Sequence, residues 1–423
     1  MEFIFADSID MVDPNYSFLT DQKAEDFEPY WDEHFTSETL GHAPFDGVLL
    51  SRALLGGEGT SRLTKSLGYR LRRVGAREFL RLNQSETMNK KIFGDCGSFT
   101  YHREEVPPYT VEDTLELYDE LGVTHGFSVD HIIFDFDREN CKKPTPSAKF
   151  RYDLTLELAD EFFKQSKSMQ PDFEPVGVAQ GWSPQSIADS AEQLKKIGYK
   201  YIALGGIVPL RAKDIHQCIQ TVEDRVGTNL KLHLLGFAKA NYIGEFKRYK
   251  ILASFDSASP LLRAFKQARN GYYFPGDDVA LNYYASLRVP QSSGTPFLMK
   301  RLAEGRLNFE EVTSLENNAL ACLRNYDQGK TSLQNAFDAV WSYEQFLESA
   351  NYKKPPTEHA LSSRKEGYLR TLDEMPWKKC PCKICLSIGI EVVIFRASNR
   401  NKRRGMHNLA IFYEHFQRIN ASN

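Results

Sequence analysis

Short runs of apolar and β-branched residues recur along the chain at 3–6, 48–51, 92–94, 127–129, 176–179, 201–204, 232–235 and 251–255. Each has the length of a strand, and polar or glycine-containing segments separate them. Several of the intervening segments switch to helical spacing and carry start and stop signals. The clearest has Ser183 placed to cap, Pro184 at the first helical position, Ile187, Ala191 and Leu194 on one face, and Gly198 just past its end. A second starts at Thr110 with Asp113 three residues on, carries Leu115 and Tyr118, and stops at Gly122. A third presents Ile215, Ile219, Val222 and Val226 before Gly227. Strands alternating with helices predict a parallel sheet, and eight of them match the size of a closed (β/α)8, or TIM, barrel. The alternative is an open doubly wound sheet. The glycine-rich fingerprint of its dinucleotide-binding version is absent after the first strands, which favours the barrel.

Downstream the pattern changes. From Gly294 to Leu372 the spacing is helical, with segments such as 333–350 and no convincing strand, and Lys353-Lys-Pro-Pro-Thr357 reads as a turn between helices. The expected α/β organisation is therefore a barrel over 1–293, a helical insertion over 294–375, and a small metal-binding subdomain with a C-terminal helix over 376–423.

The cysteines support that last piece. There are seven, an odd number, and the opening Met-Glu-Phe-Ile-Phe-Ala-Asp has no basic region ahead of an apolar stretch. A secretory signal and a disulfide framework are both disfavoured, and a cytoplasmic location is expected. No apolar run reaches the roughly 18 residues of a membrane span. Cys380, Cys382 and Cys385 crowd into six residues, and His407 can add a fourth ligand from a following helix. Cys3His is a common structural zinc set, and four protein ligands leave no open position for water, so one structural zinc ion per chain is expected. His415, near the far end of the last helix, is the weaker fourth ligand.

The net charge of −3 gives no global attraction to nucleic acid, so a polyanion would be held by local patches. One patch is Arg62, Lys65, Arg70, Arg72, Arg73 and Arg77. The other is Arg396, Arg400, Lys402, Arg403 and Arg404, beside the cysteines.

Cys380-x-Cys382-x-x-Cys385 followed by His407-Asn408-Leu409 resembles the zinc subdomain of the tRNA-guanine transglycosylase family. Asp95-Cys-Gly-Ser-Phe-Thr100 is similar to that family's Asp-Ser-Gly-Gly-aromatic-Gln after the third strand. Asp130 matches its fourth-strand aspartate, Gln180-Gly181 the Gln-Gly after strand five, Gly205-Gly206 the Gly-Gly after strand six, and Phe255-Asp256 the Phe-Asp of strand eight. The matches keep the family's order across most of the chain. Gly97-Ser98 stands for a Gly-Gly, Thr100 for a glutamine, and Asp256-Ser-Ala-Ser-Pro260 lacks the Leu-Pro-Thr-Arg of the tRNA enzymes. With Phe3-Ile-Phe-Ala-Asp-Ser8 and the Glu104-Glu-Val-Pro-Pro-Tyr109 loop, the chain most resembles the DNA-guanine transglycosylase branch.

The resemblance implies exchange of guanine in DNA for a free 7-deazaguanine base such as preQ0, within a DNA-modification system that includes an ATPase partner. It implies Asp256 as nucleophile, Asp95 as general acid/base, and Asp130, Gln180, Gly205, Gly206 and Phe99 around the base. The residues support the same chemistry: Asp95, Asp130, Gln180, Gly205 and Asp256 fall at C-terminal ends of predicted strands, where barrels place their sites. Base exchange at C1′ passes through an oxocarbenium-like state that a carboxylate can trap covalently, as in retaining glycosidases. A duplex base must first be flipped out, at a cost of a few kcal/mol that phosphate contacts offset, and Arg396, Arg400, Lys402, Arg403 and Arg404 are the expected contacts. His125, His131 and His233 are expected to be structural. Two rival readings are a tRNA-guanine transglycosylase and a non-catalytic nucleic-acid-binding subunit of the same fold; retention of both Asp95 and Asp256 disfavours the second.

Overall fold

A computed structural model describes residues 1–6, 9–55, 63–140, 143–266, 268–276, 280–349, 356–396 and 398–421. Arg62, Cys141 and the stretch 353–355 lie outside the described residues. Eight parallel strands close into one barrel: β1 (Glu2–Ala6), β2 (Gly47–Ser51), β3 (Lys91–Asp95), β4 (His125–Phe127), β5 (Glu174–Ala179), β6 (Tyr201–Leu204), β7 (Lys231–Leu234) and β8 (Leu252–Ser257). Neighbours follow sequence order, and β8 returns to β1 with Ile4 opposite Asp256 and Phe5 opposite Ser257. Helices run between the strands, as the alternating pattern predicts.

Ile4, Leu49, Phe93, Phe127, Val176, Val178, Tyr201 and Ala203 form one buried cluster of strand side chains. Burying each large apolar member contributes about 1.5–3 kcal/mol. The three predicted helices form as Val111–Leu121, Pro184–Ile197 and Ala212–Val226. Thr110 Oγ1 accepts from Asp113 N at 3.0 Å while Asp113 Oδ2 accepts from Thr110 N at 3.0 Å, a reciprocal cap. Ser183 Oγ accepts from Ser186 N at 3.1 Å.

The fourth strand begins earlier than its apolar run, which starts at 127. His125 and Gly126 belong to it because the Tyr118 ring packs across the strand: a Cβ at Gly126 would sit 2.6 Å from that ring, and Tyr118 donates to the Phe127 carbonyl at 3.0 Å. A position kept small for a neighbour's ring has no apolar signature of its own.

Contacts divide the chain into two compact units, one of Met1–Ile9, Phe45–Ala258 and Arg418–Asn423, the other of Asp10–Pro44 and Ser259–Gln417. The first is the barrel. The second contains an antiparallel hairpin, β9 (Tyr272–Pro275) with β10 (Leu281–Tyr284), and a short parallel pair, β11 (Leu287–Arg288) with β12 (Ile394–Phe395). Its helices include Pro296–Ala303, Phe309–Asp327, Leu333–Ser349 and Glu358–Glu374, and it holds most of the terminal helix Ser398–Ala421. Thr357, at the end of the predicted turn, caps Glu358–Glu374 by accepting from Ala360 N at 3.2 Å. Among the described residues, no helix is long and apolar enough to cross a membrane.

Candidate active site and metal centre

One pocket of the barrel is lined by Asp95, Phe99, Asp130, Gln180, Gly205, Gly206 and Asp256, together with Ser98, Val208, Leu235 and Gly236. Asp95 ends β3, Gln180 follows β5 directly, Gly205 follows β6, and Asp256 is the second-last residue of β8. These are the C-terminal ends of the strands, where backbone direction reverses and side chains converge.

Asp130 and Gln180 are buried, at 3 % and 1 % exposure, and act as a unit. Gln180 Nε2 donates to Asp130 Oδ2 at 2.7 Å, and Gln180 Oε1 accepts from Ile133 N at 3.3 Å. The other carboxylate oxygen, Oδ1, accepts from the Cys96 thiol at 3.2 Å, and Tyr101 donates to the Asp130 carbonyl at 3.0 Å. Cys96 stands inside the Asp95–Thr100 motif but carried no expected role, and neither did Tyr101; the carboxylate that Cys96 meets lies 34 residues away. Gly206 has φ of +69°, and a Cβ there would stand 2.7 Å from the Ile133 carbonyl oxygen. A Cβ on Gly205 would overlap the Gln180 amide. The two glycines therefore bring bare backbone to the pocket wall. Phe99 is 56 % exposed, its ring centroid 6.1 Å from that of Phe134.

Asp256 is held differently. Its Oδ1 accepts from Gly236 N at 2.8 Å and lies 3.1 Å from His233 Nε2. His233, expected to be structural, thus touches the proposed nucleophile. The other two histidines keep to packing: His131 Nε2 meets the Glu104 carbonyl at 2.9 Å, and His125 stacks on Phe93 with burial holding it neutral, its pKa down at about 3.

Two carboxyls of the pocket, Asp95 and Asp130, are raised by burial. Burial raises Asp95 above the usual carboxylate range against hydrogen bonds from Ser51 and Gly97, and the charge of Asp256 adds to the rise. Burial pushes Asp130 up to about 6, with Asp95 adding and hydrogen bonds from Cys96, Gln180 and Ser98 opposing. A pocket holding a carboxyl raised by burial beside a second one anchored by the Gly236 N–H has the parts for acid/base and nucleophilic work.

In the second unit, Cys380, Cys382, Cys385 and His407 bring four donor atoms within 4.8 Å of one another. His407 Nδ1 lies 3.7, 3.3 and 3.4 Å from the three sulfurs. Such separations are the edges of a tetrahedron with metal–ligand bonds of about 2.0–2.3 Å. His407 Nε2 donates to the Tyr273 carbonyl at 2.8 Å, which fixes the tautomer with Nδ1 free to ligate, and Tyr272 stacks on the ring at 4.1 Å. The donor set fits one divalent metal, and His415 is outside it.

The expected phosphate contacts beside this centre need correction. Arg396, Arg400, Arg403 and Arg404 are 8 %, 0 %, 5 % and 0 % exposed. Arg396 pairs with Asp21 at 2.7 Å and Glu316 at 2.5 Å, and Arg400 with Glu391 at 2.6 Å and with Asp21. Arg403 reaches the Asp13 carbonyl at 2.7 Å, Arg404 the carbonyls of Val392, Ile394 and Ala264, and Lys402 the Met11 carbonyl at 2.9 Å. A buried guanidinium demands partners; here acids and carbonyls from the same unit supply them, so these arginines hold the fold and face no polyanion. Of the other patch, Arg77 donates to the carbonyls of Leu82, Thr87 and Lys90, Arg72 pairs with Glu120 at 2.5 Å, and Lys65 and Arg73 are exposed.

No protein-family model matches the chain. A DNA-guanine transglycosylase of Salmonella montevideo is 36 % identical to it over 422 residues, which cover 99 % of this chain and 97 % of that protein. Likeness at that level over essentially the whole length, together with a closed eight-stranded barrel and a Cys3His cluster, makes this chain a member of the guanine transglycosylase family.

Proposed function

We propose that this chain exchanges guanine in DNA for a free 7-deazaguanine base of the preQ0 type through a covalent glycosyl-aspartate. The observation that carries the reading is the convergence of Asp95 and Asp256 on one pocket whose wall is the Asp130–Gln180 pair and the Gly205-Gly206 backbone. The likeness to a DNA-guanine transglycosylase supports DNA as the substrate.

The flipped nucleotide places C1′ over Asp256. A lone pair of the Asp256 carboxylate forms the bond to C1′ as the C1′–N9 pair leaves with guanine, which takes the Asp95 proton and departs as the neutral base. The incoming base then gives its N9 proton to Asp95, its nitrogen attacks C1′, and the Asp256 carboxylate is released. Asp130 accepts from the donor edge of either purine, Gln180 and the glycine backbone complete the edge, and Phe99 stacks at the rim. Phosphate contacts fall to exposed cations such as Lys65 and Arg73. The metal is zinc, bound by Cys380, Cys382, Cys385 and His407 as a fully ligated structural ion with no part in the reaction. An ATPase partner opens the duplex.

The test offers purified protein plasmid DNA or tRNA with labelled guanine or preQ0, with and without the ATPase of its modification system, and digests the products to nucleosides. Label in DNA is expected; label in tRNA alone makes the chain an RNA enzyme. Asp256→Asn is expected to bind DNA and form no adduct, and normal turnover by that variant removes Asp256 as nucleophile.

A further inference from the structure

Behind Asp256 runs a buried chain of side chains drawn from three adjoining strands. Tyr201 of β6 has its hydroxyl 2.6 Å from Ser254 Oγ of β8; that Oγ hydrogen-bonds His233 Nδ1 of β7, and His233 Nε2 lies 3.1 Å from Asp256 Oδ1. Tyr201, His233, Ser254 and Asp256 are 1 %, 0 %, 0 % and 6 % exposed. Gly236 N donates to the same Oδ1 at 2.8 Å, and among the described residues none of these bonds falls on Oδ2.

Proton accounting gives the chain a direction, because a buried hydroxyl proton must find an acceptor. An ionised Asp256 only accepts, so His233 Nε2 carries the hydrogen and Nδ1 carries the lone pair. Ser254 then donates to Nδ1 and accepts from Tyr201, and every proton is placed. In the reverse direction Asp256 donates to Nε2, Nδ1 donates to Ser254 and Ser254 donates to Tyr201, which leaves the Tyr201 hydroxyl proton without an acceptor in the chain. The imidazole plane is fixed from outside: its centroid lies 5.6 Å from that of Phe93, stacked at 26°, and 5.1 Å from that of Phe127.

We infer that His233 is a positioning residue for glycosyl transfer, whose Nε2–H pins Oδ1 of Asp256 and leaves Oδ2 to attack C1′. Ser254 and Tyr201 hold its tautomer. The inference rests on Asp256 being the nucleophile. With one oxygen anchored by two donors the carboxylate cannot rotate, so the attacking lone pair is presented in one direction only, and losing a donor costs alignment rather than substrate affinity. The same donor bond strengthens again when the carboxylate leaves C1′ in the second half of the exchange.

Rapid-quench measurement of glycosyl-enzyme formation on DNA tests this in the full-length protein. His233→Leu is expected to slow adduct formation roughly 100-fold with KM for DNA changed less than about two-fold, the cost of a misplaced reacting group. His233→Gln restores an N–H near the Nε2 position and is expected to recover to within about ten-fold of wild type, and Ser254→Ala, which frees the tautomer, to fall between the two. Wild-type adduct rates in His233→Leu overturn the inference, as does a slow but folded His233→Gln no better than His233→Leu. Should the leucine variant fail to fold, the glutamine and Ser254→Ala proteins decide: both at wild-type rate overturns it. Asp256→Asn run alongside separates the two readings, since a dead Asp256→Asn with an unaffected His233→Leu removes only the role of His233, while an active Asp256→Asn removes the nucleophile itself.

Discussion

Gln180 and Asp130 share a 2.7 Å hydrogen bond at full burial, yet the carboxyl it supports is pushed up to about 6. The buried carboxyl is therefore held at an energetic cost to the fold wherever it is ionised. A folded pKa near 6 against about 3.9 unfolded means that protonation favours the folded state, so stability is fullest below about pH 4 and declines as pH rises through 6. Asparagine can accept from Gln180 and donate to the Cys96 sulfur. Asp130→Asn is therefore expected to gain about 1–3 kcal/mol at pH 8, to lose the decline between pH 4 and 6, and to bind guanine poorly. Denaturant titrations at pH 5 and 8 with a base-binding assay check all three outcomes.

Asp95 is raised by burial, so its acid form survives further toward neutral pH than that of an exposed aspartate. An acid catalyst works below its pKa and fades above it. Guanine release from the wild type is expected to fall as pH rises through that raised value. Asp95→Asn is expected to lower exchange by about 10²–10⁴-fold and to flatten this limb. A pH series of single-turnover guanine release decides it; a limb that persists in Asp95→Asn assigns the acid to another group.

Arg400 is fully buried between Asp21 and Glu391. Burial alone would raise the Asp21 carboxyl, and the guanidiniums of Arg400 and Arg396 bring it below the usual range. Arg400→Met takes one of two guanidinium partners from each acid, Asp21 keeping Arg396 and Glu391 keeping Arg324, and a loss of about 1–3 kcal/mol is expected. Because Asp21 is depressed in the fold, its contribution is present at neutral pH and lost on acidification through the folded value, so the variant's deficit should shrink in acid. The slope of DNA affinity against salt should not change, which separates this role from a phosphate contact.

One zinc per chain is expected by elemental analysis. Cys382→Ser should carry less than one and unfold at lower temperature, and a strong chelator should lower the wild-type melting temperature in the same way. A serine variant with full metal and unchanged melting rejects the ligand set.

The barrel was legible because strand-length apolar runs alternate with capped helices, and the metal ligands because three thiols fall within one loop. The seven predicted pocket residues meet in space because each sits where a strand ends, a place that sequence marks. What escaped was contact at long range. Asp21 lies 375 residues from Arg396, so no local pattern could separate a buried ion-pair network from a basic surface. His233 meets Asp256 only through the pairing of β7 with β8, which shifts register between Leu232 and His233. The β9–β10 hairpin, Tyr272–Pro275 with Leu281–Tyr284, falls within the stretch 1–293 read as barrel, and its Tyr272 ring and Tyr273 carbonyl meet His407.

Ring closure has a consequence for the order of synthesis. β1 emerges first from the ribosome, but its second partner is β8, with Ile4 set opposite Asp256. Until residue 257 has been made, the nascent chain can display Asp95, Asp130 and Gln180 but holds neither the anchored carboxylate nor the seam that positions it. If Asp256 is the nucleophile proposed above, an interrupted translation product has no group to attack C1′, and that reactivity belongs to the closed ring.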